Sequence, residues 1–153
     1  VLVYCNSLSA TIDARALGVA RGLRIWTPMD VYGETARRYR RLGVLAANSQ
    51  GAAGVERAMV NASPATRVFG ASNLELVLGV EAGRPPEDLV RDCGLEHLLR
   101  FFEGNGAEAV VLGCTHFPYV KEALQKRTAL PVLDPGERLA ELVLEDGGQR
   151  PAV

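Results

Sequence analysis

Cys5 and Cys114 occupy matching places along this chain. Cys5 closes the apolar run Val1-Leu2-Val3-Tyr4 and is followed by Asn6-Ser7; Cys114 closes Ala109-Val110-Val111-Leu112-Gly113 and is followed by Thr115-His116. Each thiol is therefore expected as the last residue of a buried strand, trailed by small polar residues that can cap a helix and donate hydrogen bonds. A thiolate becomes a good base only when its pKa falls from about 8.5, and a helix N-terminus or a nearby cation lowers it. Both cysteines precede expected helix starts. Two thiols on opposite sides of one substrate carbon can act as base and acid, one removing a proton from one face while the other delivers a proton to the opposite face. Configuration inverts, and no cofactor is required.

Other chemistries use the same residues. Buried cysteines are common packing residues. A metal site of Cys5, Cys114 and His116 lacks an obvious fourth ligand, and without a Cys-x-x-Cys pair neither a metal site nor a redox dithiol is favoured. The matching polar successors favour an acid–base pair, with no metal and no cofactor. Cys93 has no polar constellation around it and reads as packing; His97 reads as structural or exposed.

Apolar runs alternating with amphipathic segments must position these thiols. The pattern predicts strands at 1–5, 23–28, 42–47, 66–69, 108–114 and 131–133, and helices at 9–21, 29–41, 50–61, 86–103, 119–127 and 136–145. The stretch 72–85 is irregular, Gly83-Arg84-Pro85-Pro86 reads as a turn, and the tail after Asp146 reads as frayed. The run Arg37-Arg38-Tyr39-Arg40-Arg41 reads as a solvated helix face. Such alternation predicts α/β architecture with parallel sheets covered on both faces, where ligands bind beyond the carboxyl ends of the strands. Cys5, Asn48 and Cys114 fall there and can share one site.

Composition narrows the partners. With 17 basic and 18 acidic residues the net charge is −1, and no basic stripe interleaved with aromatics suggests nucleic acid. The apolar runs are far shorter than the ~20 residues of a membrane span. Hydrophobic residues at 48% and charged residues at 23% suit a globular protein. An odd, widely spaced set of three cysteines fits a reducing, cytoplasmic setting better than a disulfide framework. The chain opens without Met in a strand-like run, and an N-terminal segment is expected to precede Val1.

Gly113-Cys114-Thr115-His116-Phe117-Pro118 resembles the second cysteine motif of the glutamate racemases, in the aspartate/glutamate racemase superfamily, and Cys5-Asn6-Ser7 resembles their first motif, usually Cys-Asn-Thr. Val80-Glu81-x-Gly83 and Leu133-Asp134-Pro135-Gly136 resemble two further elements in the same order. The resemblance implies two doubly wound lobes of parallel sheet with an amino acid between them and racemisation of L- and D-glutamate by two cysteines. By position, Cys5 is the thiol of the first lobe and Cys114 that of the second. Asn6, Ser7 and Thr115 hold the substrate, His116 assists Cys114, and Glu81 is an assisting acid. The implied lobes are 29–133 for the second, and 1–28 with 134–153 for an incomplete first. The resemblance further implies a cytoplasmic enzyme supplying D-glutamate for peptidoglycan, with a homodimer allowed.

Departures accompany the matches. The family's Asp-Ser-Gly-x-Gly-Gly loop and the substrate loop after it have no counterpart here, and the family's threonine-bearing turn reads Ala47-Asn48-Ser49-Gln50. Asn48 and Ser49 stand in that place and offer different substrate contacts. Two alternatives follow: another superfamily activity, such as aspartate or hydantoin racemisation, and a binding-only fragment.

Overall fold

A computed structural model describes residues 1–147. Four parallel strands, β1 (Arg41–Ala46), β2 (Arg67–Ser72), β3 (Ala109–Gly113) and β4 (Val132–Leu133), form one sheet in the order β2-β1-β3-β4. Before the sheet come α1 (Asn6–Ser9), α2 (Ala14–Arg21) and α3 (Met29–Arg38). Helix α4 (Ser49–Ala62) crosses from β1 to β2; α5 (Leu74–Glu81), α6 (Pro86–Asp92) and α7 (Leu95–Gly104) cross from β2 to β3. A 3-10 turn at Phe117–Val120 and α8 (Lys121–Gln125) lead to β4, and α9 (Pro135–Gly147) follows. Parallel neighbours require such crossovers, because a tight turn reverses direction.

Strand parity builds two cores. Leu42 and Val44 of β1 join Ala109 and Val111 of β3 on one face, packed by Tyr32, Ala36, Val55 and Met59 from α3 and α4. Leu45, Val110, Leu112 and Cys114 face the other way, into a larger core with Leu76, Leu89, Leu99, Phe102 and Phe117. Every residue of β3 is buried, as a sheet covered on both sides demands. Gly43 lets the Phe102 ring rest on β1: a Cβ there would lie 2.6 Å from the ring. Cys114 thus continues the parity of a fully enclosed strand, and its sulfur belongs to the larger core.

The α/β architecture and the parallel sheet are as the sequence predicts, and several boundaries are corrected. Residues 1–5 form no buried strand. Leu2 makes a single parallel bridge to Trp26, itself the only trace among the described residues of a strand at 23–28, while Val1 and Leu2 are exposed. Apolar side chains alone do not make a strand without neighbours on both sides to bond. The helix expected at 9–21 divides into α1 and α2, because Asp13 caps a new start by accepting from the Ala16 N–H at 2.9 Å. The helix expected at 86–103 divides after Asp92, where Gly94 adopts φ +67°. The stretch 72–85 contains α5, begun by Asn73, whose side chain accepts from the Leu76 N–H. The arginine run is not one helix face: α3 ends at Arg38, and Arg41 opens β1 and pairs with Glu108. Of the tail expected to fray after Asp146, Gly147 ends α9 and residues 148–153 lie outside the described residues.

Candidate active site

The chain leaves β1 towards β2 and leaves β3 towards β4 on the opposite side. Their carboxyl ends therefore open a crevice at the point where strand order reverses, the usual ligand position in such sheets. Asn48 lies just beyond β1, and Cys114 just beyond β3.

Cys114 is 8% exposed. Burial pushes its thiol above the ordinary range, Cys5 adds to the rise, and a hydrogen bond from the His116 backbone N–H works against it. The Cys114 Sγ lies 3.6 Å from the His116 Nδ1. On the far side of the ring, Nε2 donates to the Glu81 Oε1. With Nε2 carrying the proton, a neutral imidazole presents its Nδ1 lone pair to the thiol. The thiol can therefore hand its proton to His116, while the Glu81 carboxylate stabilises the imidazolium that results. Glu81 stands at the end of α5, packed beside the turn that carries His116.

Cys5 is half-buried and is the residue before α1, with an extended backbone, φ −159°. A helix of one turn has little macrodipole to offer. The thiolate stabilisation expected of a helix start is outweighed by burial at Cys114. What places Cys5 is packing. Gly54 of α4 allows α1 to lie against it, since a Cβ at Gly54 would meet the Ala10 Cβ at 2.3 Å. Ser7 donates to the Asn48 Oδ1 at 3.2 Å, and Asn48 accepts from the Gly51 N–H at 2.8 Å, capping α4. Asn6 is buried and its Oδ1 accepts from the Tyr32 hydroxyl. Thr115 is half-buried between Cys114 and His116.

The structure therefore brings Cys114, His116 and Glu81 into one chain of contacts, joins Ser7 to Asn48, and sets Cys5 within electrostatic reach of Cys114. Cys93 packs against the larger core and His97 is exposed, both as expected. Sequence reasoning missed Tyr4 and Tyr32, and gave Asp134 no role although it stands in one of the resembling elements. Tyr4 is raised above the usual phenol range by burial, then by Asp134 and Cys114; Tyr32 is raised by burial, then by Cys114, Asp134 and Tyr4. Asp134 accepts from the Gly136 N–H at 2.8 Å at the start of α9, where the Tyr4 hydroxyl closes in. A tyrosine amid apolar helix positions was the available signal, because a buried phenol needs a hydrogen-bond partner. Among the described residues no group of three or more His, Cys, Asp or Glu is placed to hold a metal ion.

Fold and site together define a parallel α/β domain with a thiol–imidazole–carboxylate chain of contacts at its strand-order reversal and a second thiol, Cys5, within electrostatic reach. The chain belongs to the Asp/Glu/hydantoin racemase family, whose model matches residues 28–143. It is 27% identical over 126 residues to a glutamate racemase of Acidothermus cellulolyticus, a match covering 81% of this chain and 48% of that protein. The chain thus spans about half the length of that curated relative. The fold is similar to the glutamate racemase of Francisella tularensis solved with D-glutamate, with TM-score 0.76, 19% identity, and coverage of 99% of this chain and 59% of that one. A glutamate racemase isoform from Bacillus anthracis gives TM-score 0.71 and 18% identity over 96% of this chain and 59% of that one.

Proposed function

We propose that this chain carries the catalytic thiols of an amino-acid racemase acting on glutamate by two-base proton transfer, without a cofactor. The observation that carries the reading is the Cys114–His116–Glu81 relay beside Cys5 at the switch point. One thiolate takes the α-hydrogen as a proton, leaving its electron pair on the α-carbon; the other thiol donates a proton to the opposite face. The two sulfurs end with their protonation exchanged, so the next turnover runs in reverse. Because burial holds Cys114 protonated at neutral pH, Cys114 begins a turnover as acid, or as base once its proton has passed to His116.

Asn6, Ser7, Asn48 and Thr115 supply hydrogen-bonding groups around the thiols, suited to the carboxylate and amino group of a free amino acid. In the same reading residues 29–133 form one lobe, and residues 1–28 with the segment from 134 onward belong to another. The working setting is the cytoplasm, with D-glutamate destined for peptidoglycan; a homodimer is compatible with it. Among the described residues no helix is long and apolar enough to cross a membrane.

The test is racemisation of glutamate, aspartate and a 5-substituted hydantoin, followed by optical rotation, for the wild type, Cys5→Ser and Cys114→Ser. Loss of rotation with glutamate, abolished in both variants, is expected. Preference for the hydantoin would replace the substrate, and normal rates in both variants would remove the mechanism.

A further inference from the structure

The Asn6 side chain has one amide oxygen and one amide nitrogen, and the two ends have different fates. The oxygen accepts from the Tyr32 hydroxyl, in a pair buried between α1 and α3. Among the described residues the amide nitrogen has no hydrogen-bond partner, yet it is not fully enclosed, so it keeps a narrow opening to solvent although Asn6 as a whole is 5% exposed. The reverse orientation would leave the phenol proton of a fully buried tyrosine without an acceptor, a costly outcome. Tyr32 itself is immobilised: α3 is held at its start by Asp30, which accepts from the Thr27 N–H and hydroxyl at 2.7 and 3.0 Å, and the Tyr32 ring lies wholly inside the smaller core. Asn6 directly follows Cys5.

We propose that Tyr32 is a positioning residue: by occupying the Asn6 amide oxygen it turns the amide N–H2 outward beside Cys5, as a fixed pair of donors for the carboxylate of an amino-acid substrate. This rests on the racemase reading. Tyr32 touches no substrate; it acts through Asn6, sparing the substrate the cost of choosing between two amide orientations.

Tyr32→Phe removes the hydroxyl and keeps the ring. With D-glutamate as the probe, the expected result is a KM raised at least about 2-fold, the cost of selecting one of two equally populated amide orientations, and up to about 10-fold where the freed amide favours the wrong one, with kcat unchanged. In an Asn6→Ala background the same change leaves KM where Asn6→Ala alone puts it. An unchanged KM, or an equal rise with and without Asn6, overturns the proposal. A second readout does not need turnover. In a 15N-labelled chain, the Asn6 side-chain amide is expected to give two sharp resonances that broaden in Tyr32→Phe as the amide gains freedom to flip; identical resonances in both proteins overturn the proposal. If the wild type neither binds nor turns over D-glutamate, the racemase reading fails on its own, and these resonances still decide whether Tyr32 orients Asn6.

Discussion

Cys114 faces two opposed demands. Its place on a fully buried strand end removes water and raises the thiol pKa, whereas proton transfer requires access to the thiolate. In the proposed mechanism the Nδ1 of His116, 3.6 Å from the sulfur, reconciles them by taking the proton. Replacing His116 with Asn should therefore cut turnover by about 100-fold or more, the usual loss for a general acid–base group, and Glu81→Gln should cost less, because it removes only the support for the imidazolium. The pH sign follows from the raised pKa. The Cys114 thiol stays protonated as pH climbs past the ordinary thiol range, so its alkylation by iodoacetamide should gain rate with a midpoint more alkaline than that of a small-molecule thiol. A midpoint below neutrality would mean that burial does not govern this sulfur. At this scale the sequence was informative where chemistry is encoded in neighbours: Cys114-Thr115-His116 is contiguous, and Glu81 was found through the resemblance. Tyr32 was not legible, because its contact with Asn6 joins residues far apart in the chain through a packing decision of α1 against α3.

Among the elements, the strands that the sequence placed best are those enclosed on both faces. The run ending in Cys114 is apolar at every position because both cores press on it, and β3 is found at 109–113 within the predicted 108–114. The run ending in Cys5 looks similar in composition but, among the described residues, its backbone pairs laterally only at Arg24 and Trp26, and one isolated bridge cannot organise a strand. The helix breaks were missed for a different reason. Gly94 and Asp13 act through backbone conformation and capping, which leave the hydrophobic period on either side nearly intact. Close approach between elements gives a direct test. A methyl group at Gly54 would collide with Ala10 and push α1, and with it Cys5 and Asn6, off α4. Gly54→Ala should lower stability by about 1–3 kcal/mol in urea titrations and lower racemase turnover as well. Gly104→Ala, at the end of α7 with open space around it, should be neutral or stabilising by up to about 1 kcal/mol. Equal effects from the two would show that the α1–α4 contact is not tight in solution.

Apolar surface is unevenly covered across the molecule. The central strands β1 and β3 are enclosed on both faces, whereas the segment before Met29 exposes Val1, Leu2, Leu8, Leu17, Val19 and Leu23. Exposed apolar surface of this kind favours association with other apolar surfaces. The 153-residue chain should therefore bind an apolar dye such as ANS, and Leu17→Gln with Val19→Gln should reduce that signal without moving the melting transition. The family was legible from a few contiguous motifs. Which residues pack together in the first segment was not, since that depends on neighbours beyond any short window of sequence. In the proposed mechanism Cys5, at the start of a short helix on α4, and Cys114, at the end of β3, address opposite faces of one carbon. Deuterium entering the α-carbon of L- and D-glutamate in heavy water measures this most directly, on the wild type and on each serine variant. Exchange into both enantiomers is expected of the wild type and, in each variant, loss of exchange from the enantiomer whose α-hydrogen faces the missing thiol. Exchange from both enantiomers at wild-type rate in Cys5→Ser and in Cys114→Ser would contradict that mechanism.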